Sequence, residues 1–68
     1  MDELQKIIDM EHQYPKYTGQ KDDAIRTEFN MSATSYYQML NRLLDDEEAV
    51  KADPVLFNRL RRLRNGNH

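Results

Sequence analysis

Apolar residues recur along this chain at intervals of three and four positions, the spacing that is typical of amphipathic helices. In the first segment, residues 2–12, Leu4, Ile7 and Ile8 share one helical face. No run of alternating β-branched residues indicates a strand. The pattern therefore predicts an all-α fold, and a chain of 68 residues has room for a single domain, residues 1–68.

Capping residues, prolines and glycines predict where the first two helices begin and end. Asp2 is placed to cap the first helix, and Pro15 ends it, because the residue before a proline avoids the α conformation. A loop closed by Gly19 then leads to a second helix over residues 20–29. Asn30 follows it, and asparagine tolerates the left-handed conformation found just past many helix ends.

The second half of the chain carries three further start signals. A third helix is expected over residues 32–44, with a serine at its capping position. Asp45 is expected to cap a short fourth turn, because a glutamate stands three positions later. Asp53, followed directly by a proline, predicts the start of a last helix over residues 54–64, which Gly66 would terminate.

The stretch over residues 22–44 has the spacing of a helix-turn-helix unit, in which two short helices pack at a steep angle across a tight turn. Such a unit needs apolar residues in both helices and in the turn. The candidates are Ile25, Phe29, Met31, Tyr36 and Met39. We therefore expect a compact four- to five-helix domain that contains a helix-turn-helix at about 22–44 and a basic carboxy-terminal helix at about 54–64.

Side chains suited to DNA remain on the predicted solvent face of helix 33–44. Amides can pair with adenine edges, hydroxyls can bond bases or phosphates, and arginine reaches phosphate or guanine. The base-facing candidates are Thr34, Ser35, Tyr37, Gln38 and Asn41. The phosphate-binding candidates are Lys21, Arg42, Arg59 and Arg62.

Three segments together resemble a known family. They are GQKDDAIRTEF, SATSYYQMLNRLLD and DPVLFNRLRRLR. They are similar to small proteins of actinobacteria and their phages that are catalogued as a domain of unknown function (3263). The resemblance implies a helix-turn-helix-like fold without an established activity. Asn30 stands where the family usually has glycine, and Ser35 stands where many members carry arginine, which removes a positive charge from the predicted reading face.

Charge is distributed unevenly along the chain, although the formal net charge is only −2. All twelve acidic residues precede position 54, and the last fifteen residues carry four arginines and no acid. An Arg-rich end indicates an anionic partner. The same arginines would equally suit pairing with the acidic residues 45–48, or stabilisation of the carboxy terminus of their own helix.

Composition narrows the classes of function. The absence of cysteine excludes disulfides, thiolate metal sites and a cysteine nucleophile. No apolar run approaches the roughly 18 residues needed to span a bilayer, and no signal pattern is present. A metal trio of Asp9, Glu11 and His12 is disfavoured, because adjacent helical residues diverge. We expect a cytoplasmic protein without enzymatic activity, cofactor, metal or membrane association.

Two functions fit these patterns. The first is a small DNA-binding protein, a phage or host transcription regulator that reads the major groove with helix 33–44. The alternative is a protein-interaction module that keeps the same scaffold and binds a host protein rather than DNA. A homodimer is compatible with either function, through an apolar stripe left exposed by Val55, Phe57 or Leu63.

Overall fold

The computed structural model describes residues 3–64, and these residues form five α-helices connected by short turns. The predicted all-α fold is confirmed. The Cα atoms of the domain have a radius of gyration of 11.5 Å. The helices are α1 (Glu3–Gln13), α2 (Gly19–Phe29), α3 (Ala33–Leu43), α4 (Glu47–Ala52) and α5 (Pro54–Arg64).

Side-chain caps set the start of four helices. Ser32 accepts a hydrogen bond from the Ser35 backbone N–H and caps α3, as predicted. Asp53 accepts from the third backbone N–H beyond it and starts α5, again as predicted. Thr18 caps α2, which begins at Gly19, one residue before the expected start, and one cap was predicted wrongly, because Asp46 rather than Asp45 caps α4. The predicted signals Asp2 and Gly66 lie outside the described residues.

The turn between α2 and α3 depends on one left-handed residue. Asn30 has φ 53° and ψ 43°, and its backbone N–H donates to the Arg26 carbonyl oxygen at 2.9 Å. Among the described residues it is the one non-glycine residue with positive φ. Asparagine therefore ends α2 here in the conformation for which glycine is commonest, and only two residues separate it from α3.

The core draws apolar side chains from all five helices. The buried ones are Ile7, Ile8, Met10, Ile25, Tyr36, Leu40, Leu44, Ala49, Leu56 and Phe57. Of the five apolar residues predicted to join α2 to α3, Ile25 and Tyr36 are buried, and the other three are half-buried and pack against this cluster. The rings of Phe29 and Tyr36 lie 5.3 Å apart between centroids, which places α3 against α2.

Candidate nucleic-acid interface

The outward face of α3 is polar and carries no acidic residue. The buried side chains determine which side of α3 faces outward. Because Tyr36 and Leu40 are buried, the positions opposite them on the helix must face solvent. Five of the predicted DNA-contacting residues are exposed on α3: Thr34, Ser35, Gln38, Asn41 and Arg42. The structure therefore brings most of the predicted reading face together on one helix.

Tyr37 does not belong to that outward face, so its predicted base-facing position is wrong. The side chain is half-buried, and its hydroxyl is buried without a hydrogen-bond partner among the described residues. Its ring makes edge contacts with Tyr17 and Tyr36, both at 5.1 Å between centroids. Burial, together with the nearby Glu11 charge, raises the pKa of Tyr37 above its usual range. Of the tyrosine pair, one ring is core and the other half-exposed.

Lys21 is not at the surface, so its predicted role as a phosphate contact is wrong. Only 3% of the residue is exposed, and its Nζ donates to the Glu11 carboxylate at 2.9 Å. The same ammonium lies 5.3 Å from the centroid of the Tyr37 ring. A buried ammonium needs a counter-charge, and the Glu11 carboxylate supplies it from inside the domain.

Glu11 joins three helices through a buried polar cluster that the sequence analysis missed. The carboxylate on α1 accepts from Lys21 on α2 and from the Tyr36 hydroxyl on α3, the latter at 2.6 Å. Burial and this hydrogen bond to Glu11 raise the pKa of Tyr36. The sequence contains an indication that Glu11 is buried. It lies three positions after Ile8 and four after Ile7, so it continues the apolar stripe of α1.

The arginines of α5 divide into two kinds. Arg59, Arg61 and Arg62 are exposed and form no ion pair among the described residues. Arg64 instead forms two hydrogen bonds with the Asp45 carboxylate, at 3.0 and 3.1 Å. This pairing lowers the pKa of Asp45 and raises that of Arg64. Three cations of α5 are therefore free to meet an anion, and the fourth is engaged inside the domain.

Arg64 also connects α5 to the predicted reading face. Its guanidinium donates to the Asn41 side-chain oxygen at 3.2 Å, so the end of α5 lies beside the end of α3. Asn41 is exposed, but its amide oxygen already has a partner. Like α3, α5 contains no acidic residue. The two helices without carboxylates are therefore neighbours at this contact.

The whole chain, residues 1–68, matches the family model described as protein of unknown function (DUF3263). The chain belongs to the DUF3263 family. Comparison with curated proteins and with solved structures finds no match. In this DUF3263 chain, residues 3–64 contain no group of three His, Cys, Asp or Glu side chains that could hold a metal ion. None of the helices in that range is long and apolar enough to cross a membrane.

In this DUF3263 chain, a contact between His12 and Asp53 links α1 to the start of α5. His12 Nε2 and Asp53 Oδ2 lie 2.7 Å apart, and the other oxygen of Asp53 accepts from the Leu56 backbone N–H at 3.2 Å. The hydrogen bond with His12, and then the bond with Leu56, lower the pKa of Asp53. Asp53 thus holds the start of α5 against the end of α1.

Acid should weaken this link in the DUF3263 domain. The pKa of Asp53 is lower in the folded state than in the unfolded state, so its contribution to stability is complete at neutral pH, starts to decline near the ordinary aspartate pKa of about 3.9 and is lost as the pH falls through the lowered folded pKa. We expect Asp53→Asn to lower the melting temperature at pH 7 by a few degrees. On acidification, the melting temperature of this variant should fall less than that of the wild-type protein. Circular dichroism melts at several pH values measure this, with Asp9→Asn as the exposed control. An unchanged melting temperature at neutral pH in Asp53→Asn would contradict the assignment.

Proposed function

We propose that this protein is a small cytoplasmic DNA-binding protein, a phage or host transcription regulator that places α3 in the major groove of double-stranded DNA. The observation that carries the proposal is that α3 and α5 contain no acidic residue and meet at the Arg64–Asn41 contact. A DNA-binding surface must present cations and polar groups without carboxylates, because carboxylates repel phosphates.

The polar groups of α3 have the chemistry that reads base pairs. The Gln38 amide can form two hydrogen bonds with an adenine edge, and Arg42 can reach a phosphate or a guanine. Thr34 and Ser35 lie in the first turn of α3, the end that enters the groove in helix-turn-helix proteins. All four side chains are exposed, so none must leave the core in order to make these contacts.

One acidic residue at the end of α3, Asp45, is engaged by a cation. Asp45 follows the end of α3, and its carboxylate accepts two hydrogen bonds from Arg64. Paired in this way, it contributes little net charge beside α3. The remaining exposed cations of the surface are Arg42, Arg59, Arg61 and Arg62. Four cations imply about four phosphate contacts and a salt-dependent affinity.

A salt series with duplex DNA tests this function. With about four phosphates contacted, the logarithm of the association constant should fall against the logarithm of salt concentration with a slope of about −3.6. Fluorescence anisotropy with a labelled duplex measures this slope. Arg62→Gln should make the slope less steep by about 0.9, and Arg26→Gln should leave it unchanged, because Arg26 lies on α2 and pairs with Asp23. A flat slope, or no binding at low salt, would contradict the proposal.

A specific surface also supports the alternative, a module that binds a host protein rather than DNA. An apolar groove of about 400 Å³ lies between α3 and α5 and is flanked by Tyr17, which is 74% exposed. Its apolar lining is formed by Pro15, Tyr37, Leu40, Leu44 and Leu60. Exposed aromatic residues beside a groove are frequent anchors in protein interfaces. Binding of a host protein that survives nuclease treatment and is lost in Tyr17→Ser, without DNA binding, would select this function.

A further inference from the structure

A second groove lies on the other side of α2, between α1 and α2, with a volume of about 590 Å³. Its lining is mostly polar but includes the apolar side chains of Met10, Ala24 and Phe29 and the ring of Tyr14. Three exposed carboxylates line it as well, those of Asp9, Asp23 and Glu28. The groove is therefore lined by both apolar and acidic side chains.

Two of the three carboxylates have no ion pair within residues 3–64. Lys6, the lining cation in that part of the chain, donates from its Nζ to the Glu28 backbone carbonyl at 3.1 Å and lies 5.2 Å from the centroid of the Phe29 ring. It does not pair with a lining carboxylate. Asp23 is paired with Arg26 at 2.6 Å, so Asp9 and Glu28 carry the unpaired negative charge. The groove therefore has net negative charge and suits a basic, partly apolar segment.

The outward face of α5 has the complementary composition. Val55 is 79% exposed and Leu63 is 65% exposed, and both are large apolar residues without cover. Arg59 and Arg62 stand four and seven positions after Val55, so all three lie on one face of the helix. Apolar residues at this spacing, flanked by arginines, are what a helix presents when it docks in an acidic groove.

We propose that the groove between α1 and α2 binds α5 of a second copy of this chain. Charge complementarity identifies the occupant: the groove carries three carboxylates, and the exposed face of α5 carries free arginines and no acid. The groove and α5 are different surfaces, so one such contact leaves α5 free on the molecule that supplies the groove and leaves the groove free on the molecule that supplies α5. Phosphates and the groove would compete for the same arginines, so DNA should displace this contact.

Two double variants on opposite surfaces test the interface. The groove variant is Asp9→Lys with Glu28→Lys, and the helix variant is Arg59→Gln with Arg62→Gln. All four side chains are exposed, so both variants should fold, and circular dichroism verifies this. At about 50 mM salt, where screening is weak, wild-type protein should associate with increasing concentration in sedimentation velocity. Each variant alone should associate at least about tenfold more weakly.

Mixing the two variants should restore association, but only as a dimer. The groove variant keeps an intact α5, and the helix variant keeps an intact groove. One contact can therefore form between α5 of the groove variant and the groove of the helix variant. Wild-type protein keeps both surfaces intact, so it can form a second such contact, which either adds further copies or closes the assembly. Arg42→Gln is the matched control: it lies on α3, so it should weaken DNA binding and leave self-association unchanged.

This interface can fail independently of DNA binding. A wild-type protein that stays monomeric at millimolar concentration in low salt, or a mixture of the two variants that stays monomeric, would overturn it. Binding of the groove to a basic segment of another protein without self-association would overturn it as well. None of these results depends on whether the protein binds DNA.

Discussion

Glu11→Gln should lower the free energy of unfolding by about 3–5 kcal/mol, the cost of removing one partner of a buried ion pair. The substitution leaves the Lys21 ammonium inside the domain without its counter-charge, and it weakens the bond from the Tyr36 hydroxyl. A domain of this size has a total stability near the low end of about 5–15 kcal/mol. We therefore expect the variant to be partly unfolded at room temperature, as urea titration followed by circular dichroism would show.

Two control variants test whether the loss of stability in Glu11→Gln comes from the unpaired buried charge or from any change to a charged residue. Glu28→Gln removes an exposed carboxylate and should change the free energy of unfolding by less than about 0.5 kcal/mol. Replacing the whole cluster by apolar residues, as Glu11→Leu with Lys21→Met and Tyr36→Phe, should recover most of the loss, because no charge is then left unpaired. A loss below about 1 kcal/mol in Glu11→Gln would show that water reaches the cluster.

Phe57→Ala should cost about 3–5 kcal/mol, because it deletes one of the largest fully buried side chains and leaves a cavity. Phe57 was one of three residues expected to form an exposed apolar stripe, and its complete burial corrects that expectation. It packs α5 on the core, so its loss should detach the helix that carries the free arginines. Thermal melts should show a lower melting temperature, and under the proposed function fluorescence anisotropy with duplex DNA should show weaker binding.

Val55→Ala is the matched control for Phe57→Ala, since both residues are apolar and both lie in the first turn of α5. Val55 is 79% exposed, so its truncation should change the free energy of unfolding by less than about 0.5 kcal/mol. Equal destabilisation by the two substitutions would mean that α5 does not pack through the Phe57 side.

The sequence predicted features that depend on neighbours along the chain. The Ser32 and Asp53 caps and the left-handed Asn30 each need only a few adjacent residues, so local rules were sufficient. The apolar faces of α2 and α3 were predicted for the same reason, because helical periodicity places Ile25 and Tyr36 on the inside.

The features that were missed depend on contacts between distant parts of the chain. Lys21 is ten residues from Glu11, and Tyr36 is twenty-five residues from it, so no local pattern links the three. Tyr37 illustrates the same limit: its hydroxyl became buried because Tyr17, from the loop before α2, packs against its ring. Charged residues were assigned to the surface by type, and tertiary packing overrode that assignment for Lys21.

The buried cluster and the proposed reading face are connected through α3. Tyr36 is held by Glu11 on the inner side of α3, and Gln38 and Arg42 lie toward the opposite side. The hydrogen bond of 2.6 Å at Tyr36 therefore helps to hold the inner side of α3 against α1. If the proposed function holds, Glu11→Gln should lower the affinity for DNA as well as the stability.

The most direct test of the proposed DNA interface is to map the residues that DNA contacts. Isotope-labelled protein is titrated with duplex DNA, and the amide resonances are monitored by NMR spectroscopy. We expect the resonances that shift to belong mainly to residues of α3 and α5. The residues expected to shift most are Thr34, Ser35, Gln38, Asn41, Arg42, Arg59 and Arg62. Shifts confined to the groove between α1 and α2, or no shifts at low salt, would contradict the account.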